Sequence, residues 1–278
     1  IITIDEQIQA SPETDILEIY GKHVVPGYIA GYTRIGLTEI SAVKQTNDHS
    51  EVGEINPNVR ANVAYNPDSD LIPVTRSNGI LVVNSTPASG RISGQSSVMA
   101  LDGWTWEDAT IKHPSGLNIN WPNMYVDYSK KTKKNDKAQR DLYNEKIREL
   151  NQLVRNVRAY HQRRNARERK AEHKQQKDLR LESMIQLVIE KEPIHIKAND
   201  IRQIEAAVNW ASEHDLNIVI VGGRDAWINP ELLVKYNIPV ILLGVQVTPR
   251  RRFEPIHLSY KIPHLLQKSG VHFCISLD

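Results

Sequence analysis

Hydrophobic and polar positions follow different rhythms in successive parts of the chain. Alternation in IITIDEQI (1–8) and DILEIYGKHVV (15–25) predicts two short strands of a small sheet. PDSDLIPVTRSNG (67–79) predicts a short helix that ends at Gly79, and the continuous apolar run ILVVNST after it predicts a strand buried on both faces. The Gly- and Ser-rich stretch 93–122 predicts an irregular excursion with a hairpin, followed by a strand at GLNINW.

Regular helical spacing and then a strand–helix alternation dominate the second half. Apolar residues recur at three- and four-residue steps through residues 130–190, which predicts helix almost throughout. The stripe consists of Leu142, Tyr143, Ile147, Leu150, Val154, Val157 and Tyr160. From EPIHIKA onward, four strands and three helices alternate, as is typical of a parallel sheet covered by helices. An open doubly wound sheet and a (β/α)8 barrel both fit; VIVGGRDAW lacks the G-x-G-x-x-G spacing, so we favour an α/β fold of the TIM-like barrel type.

In such a barrel, the chemistry lies at the carboxyl ends of the strands. The pattern places those ends at Tyr32–Arg34, Ser85–Pro87, Lys197–Asn199, Gly222–Arg224, Gly244–Gln246 and Ser276–Asp278. The candidate site residues are therefore expected at these positions and in the loops that follow them.

Four stretches resemble the amidohydrolase superfamily, particularly its imidazolonepropionase-like and prolidase-like branch. They are GKHVVPGYIAGYTRIG, INPNVRANVAYNPDSDLIPVTRSNGILVVNSTPASGRISGQSSVMALDGWTWEDATIK, NIVIVGGRDAWINPELLVKYNIPVIL and LLQKSGVHFCISLD. The resemblance covers nearly the whole chain and implies a metal-dependent hydrolase of C–N bonds, built as a (β/α)8 barrel with a small β domain.

The resemblance also implies domain boundaries. We expect residues 1–27 to be part of an incomplete small β domain and residues 28–278 to form the barrel, with a basic helical insertion at about 129–190. The sequence ends on the expected last barrel strand. We therefore expect the final helix and the returning C-terminal strands to be absent here, and either a longer natural chain or a partner that covers this edge.

Most metal-ligand positions of the superfamily carry other residues in this chain. The His-x-His pair that follows Pro-Gly falls on Tyr32 and Arg34, and the later histidines fall on Lys197 and about Gly222; the terminal aspartate is retained as Asp278. Cationic side chains oppose a divalent ion rather than bind it. We therefore expect no metal cofactor; if the protein is an enzyme, a divalent metal such as zinc would be needed.

The strand-end cations have two interpretations. Arg34 and Lys197 could bind an anionic substrate group, or they could pair with Asp278 in a buried ion cluster that replaces the metal. In an active enzyme Asp278 would be the general base, and Arg34 or Lys197 would polarise a carbonyl. His195 is one pleat from Lys197 and could be a displaced ligand, a general base or a satisfied core histidine.

Two further residues are candidates for substrate binding. Gln95 lies in SGRISGQSS (89–97), which we expect to be a polar loop that presents its amide to a substrate carbonyl or carboxylate. Arg224 follows VGG at the expected start of a helix, where an anion would be stabilised. An ordinary connecting loop and an ordinary helix cap are the structural alternatives.

The formal net charge of +2 conceals a segregation of charge. Residues 130–180 carry 18 Lys/Arg and 7 Asp/Glu. The segment has few aromatic residues and interspersed acidic ones, so we expect a solvated face or a docking surface for an acidic partner rather than a nucleic-acid site. No apolar run is long enough to span a membrane, and Cys274 is the single cysteine. The compartment stays open between the cytoplasm and export after signal cleavage.

These observations lead to one hypothesis with one main alternative, and a nucleic-acid or polyanion binder is a third, weaker option. The first is an amidohydrolase-like protein that has lost its metal centre and binds or scaffolds, as a homo-oligomer or in complex with another amidohydrolase-like chain. The alternative is a hydrolase of cyclic-amide or peptide-like C–N bonds with an altered active site.

Overall fold

Eight strands form a single sheet that curves until its two edge strands lie side by side. The computed structural model describes residue 5 and residues 11–128, 135–170 and 177–276. The strands are β1 (Tyr28–Thr33), β2 (Ile80–Ser85), β3 (Ile92–Ala100), β4 (Thr110–Asn120), β5 (Ile194–Ala198), β6 (Ile218–Gly222), β7 (Val240–Leu243) and β8 (Phe273–Ser276). They pair in chain order, so the expected TIM-like barrel is present as a nearly closed eight-stranded wall.

Helices cover much of the outside of this wall. They are α1 (Leu71–Ser77), α2 (Trp106–Ala109), α3 (Asp136–Lys170), α4 (Leu179–Ser183), α5 (Ile185–Val188), α6 (Ile201–Glu213), α7 (Pro230–Lys235) and α8 (Leu258–Lys268). A 3-10 turn is formed by Lys44–Thr46. None of the helices in the described ranges is both long enough and apolar enough to cross a bilayer.

One strand breaks the expected parallel order. β3 is antiparallel to both β2 and β4, whereas the other neighbouring pairs are parallel. The region predicted as a polar loop (89–97) therefore lies mostly within β3, and the expected hairpin is a three-strand meander. Its serines are buried because their hydroxyls bond within the wall, as Ser96 does to the carbonyl of Gly116 at 3.1 Å.

The parallel half follows from the strand pattern and from helix capping. Ile194 and Ile196 of β5 alternate with His195 and Lys197, so the isoleucines face the helices and the polar pair faces the interior. Asp200 caps α6: its carboxylate accepts from the backbone N–H of Arg202 at 3.1 Å. Gln203 completes the capping box by accepting from the N–H of Asp200 at 3.2 Å. α6 then presents a buried stripe, formed by Ile204, Ala207, Val208 and Ala211, to the strands.

The long helix α3 packs through its central turns. Leu150, Val154, Val157 and Tyr160 are buried in the main core, which is shared with β4–β6, α5 and α6. Arg91 ties α3 to the wall through an ion pair with Glu149. The stripe predicted from sequence thus contacts the barrel.

The N-terminal strand prediction is wrong where it can be checked. Residues 11–27 contain no strand, and DILEIYGKHVV is irregular with exposed apolar side chains such as Leu17 and Val24. Alternation stabilises a strand only when a neighbouring strand accepts its backbone hydrogen bonds, and no described strand pairs with this segment. IITIDEQI lies almost wholly outside the described residues.

Candidate functional site

Tyr32 occupies the first expected ligand position as a core residue. Its side chain is buried and packs with Val221 and Ile241 inside the barrel. Its backbone N–H donates to the Ser276 hydroxyl at 3.0 Å, and that hydroxyl donates back to the Tyr32 carbonyl at 2.9 Å. Because β1 and β8 are not paired as a ladder, the Ser276 side chain bridges the seam between them.

The two cations have different described surroundings. Lys197 Nζ is 5.9 Å from the centroid of the Tyr32 ring, over the ring face. Arg34 follows the end of β1 and lines a groove on the outside of the barrel. Asp278 lies outside the described residues, so its role as general base and its pairing with Arg34 and Lys197 stay predictions.

His195 belongs to a chain of hydrogen-bonded polar side chains inside the barrel. Its Nδ1 is 3.3 Å from the Ser96 hydroxyl, which is 3.0 Å from the Ser115 hydroxyl, and Ser115 donates to Asn84 Oδ1 at 2.6 Å. The ring lies against Gly116, where an added Cβ would be 2.7 Å from Cε1. Burial lowers the pKa of His195 to about 4, so the ring is neutral at pH 7.

Gln95 does not lie in a polar loop that could present its side-chain amide to a substrate. It is buried in β3, and its Nε2 donates to the backbone carbonyl of Ser183 at 2.8 Å. The loop prediction was wrong because Gly and Ser are ordinary loop signals, whereas here they occupy the crowded wall of the barrel: at Gly94 a Cβ would lie 2.9 Å from Val59. Gln95 thus joins the wall to the segment before α5.

Arg224 does not open a helix. Residues 224–228 are turns, and α7 begins only at Pro230. Proline is favoured in the first helical turn because its missing N–H is not needed there. The neighbouring Asp225 is buried and accepts from the N–H of Ile201 at 3.2 Å, so it caps no helix of its own.

Comparison with solved structures identifies the architecture. The crystal structure of an amidohydrolase from Thermotoga maritima MSB8 matches this chain with a TM-score of 0.82 and 23% sequence identity, over 99% of this chain and 70% of that one. The likeness establishes the fold. No protein-family model matches the sequence, and no curated protein matches it.

The described residues do not fit the divalent metal that the resemblance to amidohydrolases implies. Within the described ranges, no three His, Cys, Asp or Glu side chains converge on a common point. Four of the five expected positions are described, and they carry a buried phenol (Tyr32), two cations (Arg34 and Lys197) and no side chain at all (Gly222); the fifth, Asp278, lies outside the described residues. These four positions supply no negative charge for Zn²⁺, and two of them add positive charge.

An ion cluster at the ends of β5–β7 was missed by the sequence analysis. Arg251, in the loop before α8, forms a two-pronged ion pair with Asp225 and a further pair with Glu254 at 2.6 Å. It also lies 3.4 Å from the carboxylate of Asp200. The three carboxylates are almost fully buried. We refer to Arg251, Asp200, Asp225 and Glu254 as the Arg251 clasp.

Tyr125 extends the clasp to the loop after β4. Its hydroxyl donates to Asp200, and its ring lies between the guanidinium groups of Arg202 at 4.1 Å and Arg250 at 4.8 Å. Burial alone would raise the pKa of Asp200, but hydrogen bonds from Tyr125 and Arg202 more than offset it, so the pKa is lowered. The run RRR (250–252) was the available sequence signal, but nothing in it distinguishes the buried arginine from its neighbours.

A second missed site is a histidine clasp on the outer wall. His113 Nε2 accepts from Arg60 Nε at 3.0 Å, and Nδ1 is 2.8 Å from the hydroxyl of Ser97. Since Nε2 accepts, the neutral ring carries its proton on Nδ1 and donates to Ser97. Burial, and then the nearby Arg60 charge, lower the pKa of His113 to about 4. This contact fixes the segment before α1 to β3 and β4.

An apolar groove runs along the seam between α1 and the β8–β1 edge. Its volume is about 870 Å³. Tyr28, Ile29 and Ile275 line its barrel side, and Leu71 and Val74 line its α1 side. Val74 is 60% exposed and Ile275 is 48% exposed, so neither is covered by the described chain. We refer to this surface as the seam groove.

Proposed function

We propose that this chain is a metal-independent binding or scaffolding protein on an amidohydrolase-like barrel. The observation that carries the proposal is Tyr32, which holds the first ligand position with its side chain packed among apolar residues and its backbone bonded to Ser276. A phenol in that setting completes the core and is not available to coordinate an ion. The proposal accounts for the replacement of the superfamily's histidines at both Tyr32 and Lys197.

The charge at Lys197, one of the later ligand positions, supports the same proposal. A neutral phenol and an ammonium group must each lose a proton before they can coordinate a metal. The ammonium of Lys197 also repels a dication. At about 4 Å and an effective dielectric constant near 20, two unit charges of the same sign repel each other by about 4 kcal/mol, and this applies to each unit of charge on the dication.

Metal uptake tests the proposal. The protein is incubated with Zn²⁺, Mn²⁺ or Fe²⁺, unbound ion is removed, and bound metal is measured by elemental analysis. We expect far less than one equivalent. Lys197→His, which adds an imidazole and removes the charge, is the matched variant and should retain more metal than the wild type. A full equivalent in the wild type would overturn the proposal and favour a hydrolase in which Arg34 or Lys197 polarises the substrate carbonyl and Asp278 acts as base.

The partner we propose is a second copy of this chain, bound through the seam groove. The groove lies beside a ridge formed by Leu71 and Val74 of α1, so a two-fold axis would place the ridge of each copy in the groove of the other. Exposed apolar surface of this kind is typical of association sites. The charged side chains that line the groove are of opposite sign, Arg34 and Glu39, so the contact does not gather charge of one sign; Glu39 also accepts from Asn66 and Ser69.

Solution mass tests the self-association. Light scattering after size exclusion should give a dimer for the wild type and a monomer for Val74→Glu, because a charge would be buried without a partner. Val63→Glu is the matched control: Val63 is similarly exposed but lies outside the groove, so the dimer should persist. A monomeric wild type, or equal effects of the two substitutions, would contradict the contact.

A further inference from the structure

The loop between β7 and α8 (residues 244–257) presents large apolar side chains to solvent. Phe253 is 83% exposed and Ile256 is 78% exposed. Tyr260, one helical turn after Ile256 in α8, is 62% exposed. Three such side chains within eight residues form a local apolar tip. We refer to Phe253, Ile256 and Tyr260 as the loop tip.

The Arg251 clasp holds this tip in place. Arg251 and Glu254 flank Phe253 in sequence, and both point inward: Arg251 pairs with Asp225, and the buried Glu254 carboxylate accepts from the backbone N–H groups of Arg250 and Arg251, each at 3.1 Å. With these two residues anchored, Phe253 cannot turn into the barrel without breaking buried ion pairs. The apolar exposure is therefore built into the loop.

The charge around the tip is positive. Residues 244–268 contain five Lys/Arg and one acidic residue, Glu254; Glu254 and Arg251 both belong to the clasp, which leaves four cationic residues outside it. Arg252 and Lys261 are exposed beside the tip, and Arg250 lies over the Tyr125 ring. The outward surface thus combines aromatic and aliphatic side chains with cationic groups.

From this combination we propose that the loop tip is a docking surface for an anionic lipid membrane. Aromatic and aliphatic side chains flanked by Lys and Arg are the composition of interfacial membrane anchors, in which the apolar groups enter the headgroup boundary and the cations meet acidic lipid. A stable protein interface needs about 20–30 residues on each side, more than this tip offers. A few inserted side chains suffice at a lipid surface. The inference is independent of the metal and of the seam groove.

Vesicle sedimentation with the full chain tests the proposal. We expect binding to phosphatidylcholine vesicles that contain phosphatidylserine, a large loss of binding to pure phosphatidylcholine vesicles, and a loss at high salt. Phe253→Ser/Ile256→Ser should lower the partition coefficient at least about tenfold. Arg252→Gln should lower it about fivefold. Phe253→Leu should retain binding, and circular dichroism of each variant checks the fold.

Val52→Ser is the matched control. Val52 is 96% exposed but lies between Glu51 and Glu54, in an acidic loop far along the sequence from the tip. Its substitution should leave vesicle binding unchanged. Failure to bind acidic vesicles, salt-independent binding, or equal losses in Val52→Ser and Phe253→Ser/Ile256→Ser would overturn the proposal. Retention on polyglutamate without vesicle binding would also overturn it, in favour of an acidic protein partner.

Discussion

The outer faces of β5–β7 and of the β8–β1 seam have the same apolar character but different surroundings. Ile196 and Ile220 are fully buried under helices, whereas Ile29 and Ile275 line an open groove. Strand sequence therefore does not decide whether a face becomes core; the element packed on it does. The covered half buries its apolar side chains in the core, and the seam leaves comparable side chains open to solvent within the described chain.

The largest expected effect separates these two faces directly. Ile196→Ala should lower the free energy of unfolding by about 2–5 kcal/mol, because it leaves a cavity among packed side chains. Ile275→Ala should cost less than about 1 kcal/mol, since its side chain is half exposed. Urea unfolding of both variants in the Val74→Glu background, which removes self-association, measures the difference. Equal losses would contradict the assignment of Ile275 to open surface.

The next effect concerns the Arg251 clasp at the ends of β5–β7. Arg251→Met leaves three buried carboxylates without their shared cation and should cost about 2–4 kcal/mol. Arg252→Met, one residue away and exposed, should stay within about 0.5 kcal/mol of the wild type. Urea unfolding at neutral pH distinguishes the two. A small loss in Arg251→Met would mean that the carboxylates take up protons or water at little cost.

The smallest effect is a pH dependence that arises inside the covered half. The pKa of His195 is lowered to about 4 in the folded protein, from 6.5 when it is unfolded. Between these values the unfolded chain binds the extra proton, so stability is full above about pH 6.5 and falls as the pH drops toward 4. His195→Gln should reduce the dependence of the melting temperature on pH across this range, and the share that comes from His113, whose pKa is also lowered to about 4, should remain. His264→Gln, an exposed control, should keep the wild-type slope.

Several elements could be predicted because their signals are local. The strand–helix rhythm from residue 193 onward gave the parallel half, and the spacing of Leu150, Val154 and Val157 gave the packed face of α3. The strand end at Tyr32 was likewise readable, since Pro-Gly marks the start of β1. In each case the residues that set the element lie within a few positions of one another.

What could not be predicted depends on partners distant in sequence. Gln95 became a wall residue because Ser183 accepts its amide proton, 88 positions later. Arg251, rather than Arg250 or Arg252, is the arginine that pairs with both Asp200 and Asp225. These two carboxylates come close to it only when the barrel folds. The strand predicted at residues 15–25 was wrong for a related reason. Its alternation is typical of a strand, but no described strand pairs with this segment.

The reversed strand β3 also bears on how the chain collapses. The β2–β3–β4 meander is closed by two short connections, residues 86–91 and 101–109, whereas every parallel pair needs a long crossover. Short connections carry the smallest loop-closure entropy, so this three-stranded part of the barrel has the lowest contact order. It can act as the nucleus on which the βα units assemble, and substitutions in its turns should slow refolding more than they hasten unfolding.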